Sequence, residues 1–255
     1  MKIFKLDSGI KYAKFNVAGT KRPVLVMNGW SVSIKTMRLF VRKLAKALPQ
    51  HPIFVISTDS ALYEQPDKRS YKVAALKNVI ECLKVDKIHI VAHSEASVTA
   101  SHYAASNHDK IASLQLIGPA GLTILNATEL KAGLLLKIRQ DGWQAIFGPV
   151  PFRIYMRLLL GGIKQFTLRF KHTRKEWRAD PLDNSVGHQL IELQNYKIPT
   201  KIIVFKQDEI FKLEQVKTEL RILGYKGRLV ELGGSHDELI YKPASSIKEI
   251  ADFIN

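Results

Sequence analysis

The sequence predicts an α/β fold, in which helices cover both faces of a mostly parallel β-sheet. Three observations lead to this prediction. Short runs of consecutive apolar residues, such as 24–27 and 53–56, are typical of strands buried on both faces. Stretches with apolar residues at helical spacing follow these runs. Strands and helices then alternate regularly, which implies right-handed crossovers between parallel strands.

The first 121 residues contain most of the predicted strands. Residues 2–6 and 10–17 alternate apolar and polar side chains on either side of a turn at 7–9, which predicts a half-exposed hairpin at the sheet edge. The elements predicted after the hairpin are strands at 24–27, 52–57, 87–91 and 111–117, alternating with helices at 34–48, 70–84 and 97–106.

Residues 122–185 interrupt this alternation. They contain helical stretches such as 129–137 and 155–160, no buried-strand pattern, and eleven Lys and Arg against five Asp and Glu. The alternation then resumes with a helix at 185–194, a strand at 200–205, a helix at 212–223, a strand at 228–232 and a helix at 245–253. We therefore predict a core formed by 1–121 and 186–255, with a helical cap at 122–185.

Composition limits the class of protein. With 255 residues, 46% of them hydrophobic, the chain is long enough for one large domain with an insertion. Neither an N-terminal signal-like segment nor an apolar run of about 20 residues is present, so a cytoplasmic protein is expected. The single cysteine, Cys82, excludes an internal disulfide and a cysteine-based zinc site. Its helical context predicts a buried thiol, and no metal or cofactor is expected.

The charge is strongly positive. Lys and Arg number 39 and Asp and Glu number 23, which gives a formal net charge of +16. Such a surface attracts anions, including acidic lipid headgroups and anionic substrates. The sequence has no zinc finger, RNP motif or basic heptad region, so specific nucleic-acid binding is not expected. The composition leaves open whether the chain is a monomer or a homodimer.

Residues 87–97 carry the first catalytic signal. A short apolar strand ends in the sequence Ala-His-Ser-Glu-Ala, and an Ala- and Ser-rich helix follows. A serine on a sharp turn between strand and helix has the geometry of a nucleophile elbow, which makes Ser94 a candidate nucleophile. The alternative is that Ser94 only caps the helix N-terminus, as serine often does.

The loops after other predicted strands supply matching groups, since working residues of such folds lie at the carboxyl ends of strands. Asp208 follows the strand at 200–205, and His236 follows the strand at 228–232. A serine hydroxyl needs a base to take its proton as it attacks, and histidine titrates near neutrality. A buried carboxylate orients the imidazole and stabilises its charged form. Ser94, His236 and Asp208 therefore form a candidate triad.

Two backbone N–H groups are candidates for an oxyanion hole, in which each donor contributes about 3 kcal/mol to the transition state. One belongs to Glu95, after the nucleophile, and the other to Trp30, after Asn28 and Gly29. Each group has a simpler interpretation. Asp208 suits a helix N-cap, His236 an ordinary loop, and Asn28-Gly29 a turn. The order of these groups along the chain favours the catalytic interpretation.

These segments resemble the α/β-hydrolase family over essentially the whole chain; the matching stretches are 24–30, 90–96, 199–208 and 233–236. The resemblance implies an α/β-hydrolase fold: an eight-stranded, mostly parallel sheet with its second strand antiparallel, helices on both faces, and a helical cap inserted after strand six. It also implies that Ser94, Asp208 and His236 act in the family order of nucleophile, acid and base.

The chain departs from the family pattern at the elbow, where Ala92 and Ala96 replace glycines; the Ala96 methyl is expected to crowd the helix side. Ser94 argues against epoxide hydrolases and haloalkane dehalogenases, which use an aspartate nucleophile. Carbon–carbon hydrolases of this fold usually carry Trp after the catalytic histidine, where this chain has Asp237. The loop at 118–121 resembles that group.

The expected activity is hydrolysis of a small-molecule carboxylic ester through an acyl-enzyme. The candidate substrate pocket contains Asn28, His93, Phe147, Phe152, Tyr155 and Met156. Two alternatives remain open. One is a carbon–carbon bond or lactone hydrolase of the same fold. The other is a non-catalytic protein of this fold that binds an acidic partner or an anionic surface through its basic residues.

Overall fold

The computed structural model describes residues 2–5, 10–29, 32–57, 68–123, 125–148, 150–168 and 185–255. Its centre is an eight-stranded sheet with the strand order β1-β2-β4-β3-β5-β6-β7-β8. The strands are β1 Phe4–Lys5, β2 Lys11–Phe15, β3 Val24–Met27, β4 Ile53–Ser57, β5 Ile88–His93, β6 Ile111–Ile117, β7 Thr200–Phe205 and β8 Arg228–Leu232.

The sheet is mostly parallel, as the sequence predicts. β2 runs antiparallel to both of its neighbours, and all strand pairs from β4 to β8 are parallel. The two-residue strand β1 extends the antiparallel edge, where the rings of Phe4 and Tyr12 stack. The turn predicted at 7–9 lies outside the described residues.

Helices cover both faces of the sheet. The helices are α1 Arg38–Ala47, α2 Lys68–Cys82, α3 Ala96–Ser106, α4 Ala127–Phe147, α5 Phe152–Leu168, α6 Gly187–Asn195, α7 Leu213–Ile222, α8 Glu238–Tyr241 and α9 Ala244–Ile254. One apolar cluster joins the sheet to α2, α3, α6 and α7, and a second joins it to α1, α8 and α9. Two buried clusters on opposite faces explain why the central strands are apolar throughout.

The strand order positions the site. β5 lies between β3 and β6, although β4 separates β3 from β5 in the chain. The register pairs Met27 of β3 with Ala92 of β5, and Ile117 of β6 with His93. The loops after β3, β5 and β6 therefore leave the sheet side by side, at the point where the strand order reverses. Ligands bind at such points in open α/β sheets.

The long helices α4 and α5 follow β6, in the segment predicted to form a cap. α4 begins with a capping box, in which Asn126 accepts hydrogen bonds from the backbone N–H groups of Thr128 and Glu129, and the Glu129 carboxylate accepts one from the N–H of Asn126. Such reciprocal bonds satisfy donors that a helix start otherwise leaves unpaired. Within the described residues, no helix has the length and apolar content needed to span a membrane.

The prediction for Cys82 is wrong. The thiol is exposed at the last turn of α2. Leu76, Val79 and Ile80 occupy the buried face of this helix. Cys82 lies two residues beyond Ile80, which turns it roughly 200° around the helix axis, away from the core.

Candidate active site

Ser94 follows β5 directly and has a left-handed backbone, with φ of 55°. Its N–H donates to the carbonyl of Ile117, and its own carbonyl accepts from the N–H groups of Ser97 and Ala120. A left-handed conformation is uncommon for a residue with a side chain and persists only where the surroundings impose it. Here the end of β6 and the start of α3 impose it, and the turn forms with Ala92 and Ala96 fully buried beside it.

Gly29 permits the loop after β3 to approach this turn. A Cβ at Gly29 would lie 2.7 Å from the Ser94 Cβ and 3.1 Å from the carbonyl oxygen of His93. Real Cβ atoms are not found at such a distance from another carbon. Gly29 is therefore required for close packing against Ser94, and it does more than form a turn.

Three side chains from three loops form a continuous hydrogen-bonded chain. His236 Nε2 lies 2.9 Å from Ser94 Oγ, and His236 Nδ1 lies 2.7 Å from Asp208 Oδ2. The carboxylate only accepts, so Nδ1 carries a proton that it donates to Asp208. Nε2 of the neutral ring is then free to accept the proton of the Ser94 hydroxyl. Ser94 thus contacts His236 through its side chain, and the helix N-cap position belongs to Glu95.

Asp208 is held by its own loop. Its Oδ1 accepts hydrogen bonds from the backbone N–H groups of Ile210 and Phe211, at 2.9 and 2.8 Å. The next helix, α7, begins only at Leu213 and has Lys212 at its N-cap position. Asp208 is therefore not a helix cap. Its two carboxylate oxygens have different partners: Oδ1 accepts from the backbone of the loop, and Oδ2 accepts from His236.

Gly118, in the loop at 118–121 but not among the predicted site residues, lies against the imidazole of His236. It has φ of +49°, and a Cβ there would lie 3.2 Å from His236 Nδ1 and 3.4 Å from Asp208 Oδ2. Glycine adopts this backbone conformation without steric cost. The position therefore leaves space for the hydrogen bond between His236 and Asp208.

The surroundings of His236 favour its charged form. Burial by itself would lower the pKa of this imidazole, but the adjacent Asp208 carboxylate outweighs burial and raises the pKa above its ordinary value. Asp237 acts in the same direction, while the Lys137 ammonium lowers the pKa of His236. The arrangement suits a base that must accept a proton and then be stable as an imidazolium.

No protein-family model matches the sequence. Among curated proteins, monoacylglycerol lipase abhd6-B of Xenopus laevis is 26% identical over 265 residues, which cover 93% of this chain and 76% of the relative. Among solved structures, a putative lipase (lip1) of Acinetobacter baumannii has a TM-score of 0.74 and 18% identity, covering 99% of this chain and 90% of that chain. A meta-cleavage product hydrolase of Pseudomonas fluorescens has a TM-score of 0.71 and 16% identity, covering 99% and 97%.

The chain has the α/β-hydrolase fold. The eight-stranded sheet and its covering helices match these structures over nearly the full chain. The fold predicted from the sequence is confirmed.

His93 lies next to the imidazole of His236. The two ring centroids are 5.1 Å apart, and Nε2 of His93 donates to the carbonyl of His236 at 3.2 Å. Burial, together with the nearby His236, lowers the pKa of His93 to about 4, so the ring is neutral at physiological pH. His93 is one of the residues predicted to line the substrate pocket. In the structure it is buried and supports the loop of His236.

A buried ion cluster next to this loop was not predicted. Lys137 Nζ of α4 lies 2.7 Å from Asp141 Oδ2 and 2.5 Å from Asp237 Oδ2, and the Tyr241 hydroxyl donates to Asp141 at 2.9 Å. Both acids outweigh burial and raise the pKa of Lys137, which keeps the ammonium charged. The sequence indicated only one part of this cluster: Lys137 and Asp141 are one turn apart in an apolar helix, a spacing that favours an ion pair.

The same region brings three possible metal ligands together. Ligand atoms of His93, His236 and Asp237 all lie within 4.8 Å of one another. However, Asp237 already pairs with the Lys137 ammonium, and His236 bonds to Asp208 and Ser94. An ammonium thus occupies the position at Asp237 that a cation would take, and the residues do not fit a metal site.

The remaining predicted site residues in this region are Trp30, Glu95 and Asn28. Trp30 lies outside the described residues. Glu95 follows Ser94 at the start of α3, and its side chain forms an ion pair with Lys72 of α2. Asn28 is buried, and its Nδ2 donates to the carbonyl of Val32 at 3.4 Å.

The predicted apolar pocket residues differ in their exposure. Phe147 and Phe152 are 76% and 57% exposed, and their place in a substrate pocket stays a prediction. They lie at the last turn of α4 and the first turn of α5. Tyr155 and Met156 are partly buried, and the ring of Tyr155 contacts that of Phe152.

Proposed function

We propose that this protein is a serine hydrolase that cleaves a carboxylic ester through an acyl-enzyme on Ser94. The observation that carries the proposal is the hydrogen-bonded chain from Ser94 through His236 to Asp208, with Ser94 on a left-handed turn. The similarity to a monoacylglycerol lipase and to the fold of a putative lipase supports ester substrates.

In the acylation step, Ser94 Oγ attacks the ester carbonyl while its proton passes to His236 Nε2. The resulting imidazolium is stabilised by Asp208, at 2.7 Å from Nδ1. When the tetrahedral intermediate collapses, the bond between the carbonyl carbon and the alkoxy oxygen breaks. The proton on Nε2 goes to the leaving alcohol, and the acyl group stays on Ser94.

In the deacylation step, a water molecule takes the place of the alcohol. His236 Nε2 accepts a proton from this water as the water oxygen attacks the acyl carbon. The bond to Ser94 Oγ then breaks, and the same proton returns to Ser94. The products are a carboxylic acid and the free hydroxyl of Ser94, so one water is consumed for each ester cleaved.

The oxyanion of both steps would be held by backbone N–H groups, each worth about 3 kcal/mol in the transition state. We assign them to Glu95 and Trp30. The position of Glu95 supports its assignment, because its N–H is at the N-terminus of α3, where donors are unpaired and the helix dipole is positive. Gly29 supports the second assignment, since it brings the preceding loop against Ser94.

We further propose that residues 122–185 act as the cap that selects the substrate. Close contact of α4 with the core supports this assignment. A Cβ at Gly133 would lie 2.9 Å from the carbonyl oxygen of Glu209, next to Asp208. Lys137, one turn later, binds Asp237, next to His236. Tyr155 and Met156 of α5 are the cap residues proposed to contact the acyl group.

The proposal is tested with p-nitrophenyl esters of increasing chain length and with a fluorophosphonate probe. Ser94→Ala should reduce kcat by about 10⁶-fold and abolish labelling by the probe. Ser97→Ala is the matched control, because Ser97 is also a buried serine, one turn away, whose hydroxyl has no hydrogen-bond partner among the described residues. The Ser97 variant should keep its activity. Wild-type protein that neither turns over any ester nor reacts with the probe would support the non-catalytic alternative.

A carbon–carbon hydrolase is the second candidate, favoured by the structural match to a meta-cleavage product hydrolase. The two activities are separated by offering the enzyme a vinylogous 1,5-diketone acid beside the ester series. Cleavage of the diketone with a higher kcat/KM than that of every ester would replace the esterase assignment.

A further inference from the structure

Helix α4 has a second apolar face that points away from the protein core. Of the thirteen large apolar side chains that are exposed among the described residues, eight lie between 135 and 160. They are Leu135, Leu136, Ile138, Trp143, Ile146, Phe147, Phe152 and Leu160. Contiguous exposed apolar side chains are uncommon on soluble proteins and mark an interaction site. We call this set the α4–α5 apolar surface.

This surface lies across the helix from the contacts with the core. Gly133, Lys137 and Asp141 occupy the inward face of α4, where they meet the loops after β7 and β8. Each step along a helix turns about 100°, so Arg139, two residues after Lys137, faces the opposite side. Trp143 and Phe147 stack on each other at 5.2 Å on this outer side. A shallow depression there is lined by Leu136, Arg139, Gln140, Trp143 and Gln144.

The charges around the surface are almost all positive. Lys131, Arg139, Arg153 and Arg157 are exposed on the two helices. The acidic residues of the same described segments are Glu129, which belongs to the capping box, and Asp141, which is buried against Lys137. The exposed sides of α4 and α5 therefore combine large apolar side chains with cations that form no ion pair among the described residues.

We propose that the α4–α5 apolar surface binds the surface of an anionic phospholipid bilayer, with α4 lying in the plane of the interface. Helices with apolar and aromatic residues interleaved with Lys and Arg bind bilayers in this way. Trp143 suits the headgroup boundary, where indole rings are enriched. The four cations complement acidic headgroups, and the net charge of +16 adds long-range attraction.

A second copy of the chain is a poorer occupant of this surface. Two copies meeting through it would bring eight exposed cations together in addition to the net positive charge on each molecule. Repulsion between like charges opposes such a contact, whereas an acidic bilayer neutralises the charges. This binding does not depend on the proposed reaction, since none of its residues belongs to the chain from Ser94 to Asp208.

The test uses the Ser94→Ala protein, so that binding is measured without turnover. It is sedimented with vesicles of phosphatidylcholine alone and with vesicles containing one third phosphatidylglycerol. Binding to the anionic vesicles should be at least about tenfold stronger, given the four cations near the headgroups. Raising the salt concentration to 0.5 M should weaken it, because screening shortens the range of the attraction.

The variant W143S/I146S removes two large side chains that are 60% and 67% exposed and should lower vesicle binding by roughly tenfold. The matched control, V17S/I222S, removes side chains that are 61% and 71% exposed elsewhere on the surface, and it should bind as the parent does. Equal binding by both variants, or absence of binding by the parent, would overturn the proposal. So would a dimer, seen by analytical ultracentrifugation, that W143S/I146S dissociates while vesicles are not bound.

Discussion

Lys137 Nζ lies 2.5 Å from Asp237 Oδ2, and Asp237 directly follows His236 in the chain. The contact links α4 to the loop that carries the proposed base. One turn earlier, Gly133 contacts the backbone of Glu209, which follows the proposed acid, Asp208. A single helix therefore braces two of the three loops that form the site. Movement of α4 would therefore disturb the position of His236.

Replacing Lys137 with Met should strongly destabilise the protein, because Asp141 and Asp237 would be left buried without a cation. The expected loss in the free energy of unfolding is about 3–5 kcal/mol, measured by urea denaturation at pH 8. In the wild type, burial would raise the pKa of Asp237, but Lys137, together with His236 and His93, lowers it. Burial already raises the pKa of Asp141, and Lys137 opposes this rise. Without Lys137, the pKa of both carboxyl groups should be higher, above their values in the unfolded chain.

Removing Lys137 should therefore change how the free energy of unfolding depends on pH. A carboxyl group with a raised pKa in the folded state stabilises the fold only at low pH, and this contribution is lost as the pH rises through that pKa. The deficit of Lys137→Met should therefore be smaller at pH 5 than at pH 8. Tyr241→Phe keeps both charges and removes only the hydrogen bond to Asp141, so its loss should be about 1.5–3 kcal/mol. A deficit of Lys137→Met that is independent of pH would contradict this account.

Asp208→Asn should lower kcat by about 10⁴-fold, because the amide no longer fixes the tautomer of His236. The residual activity should also have a shifted pH profile. Asp208 is the main group that raises the pKa of His236, so its loss should move the acid limb of kcat/KM to lower pH. Asp237, which also raises that pKa, and Lys137, His93 and Glu209 around the ring remain in place. An acid limb that moves to higher pH would contradict the assignment of Asp208.

Gly118→Ala should reduce activity by displacing the imidazole. The new Cβ would lie 3.2 Å from two atoms of the His236 ring, and the residue would also be strained at φ of +49°. Gly224→Ala is the matched control, because Gly224 has φ of +64° with nothing within 4 Å of the added Cβ. Both variants should lose about 1–2 kcal/mol of stability from the backbone alone. Only Gly118→Ala should lose kcat, and an equal loss in both would show that strain is responsible.

Gly29→Ala should slow the labelling of Ser94 by a fluorophosphonate probe. Its Cβ would lie 2.7 Å from the Ser94 Cβ, so either the loop after β3 or the serine must move. Gly162→Ala provides the comparison, since its Cβ meets nothing within 4 Å in α5. That change should raise helix stability by roughly 0.8–1 kcal/mol and leave labelling unchanged. Normal labelling of Gly29→Ala would show that the loop adapts without cost to the site.

Much of the fold was predictable because its information is local. The apolar runs at β3, β4 and β5 could be buried only in a sheet covered on both faces, and their alternation with helices implied parallel pairing. The groups of the candidate site were found for a related reason. Ser94, Asp208 and His236 each follow a strand, and strands of a parallel sheet end at the same edge.

The features that could not be predicted depend on contacts between distant segments. Lys137 and Asp237 are 100 residues apart, and nothing near either residue indicates that they pair. The sequence around Gly118 does not indicate that its backbone contacts the His236 ring. Exposure of Phe147 and of Cys82 depends on which side of a helix meets the core, and an apolar pattern on both sides of α4 does not decide this.

At Ser94, the left-handed backbone lowers the stability of the fold, whereas the serine hydroxyl is needed for the proposed activity. A glycine would adopt φ of 55° without steric cost, whereas serine holds it at an expense of about 1–2 kcal/mol. Ser94→Gly should therefore be at least as stable as the parent while lacking the proposed nucleophile. Folding stability alone would favour that glycine, so a serine at this position supports the proposal that Ser94 is the nucleophile.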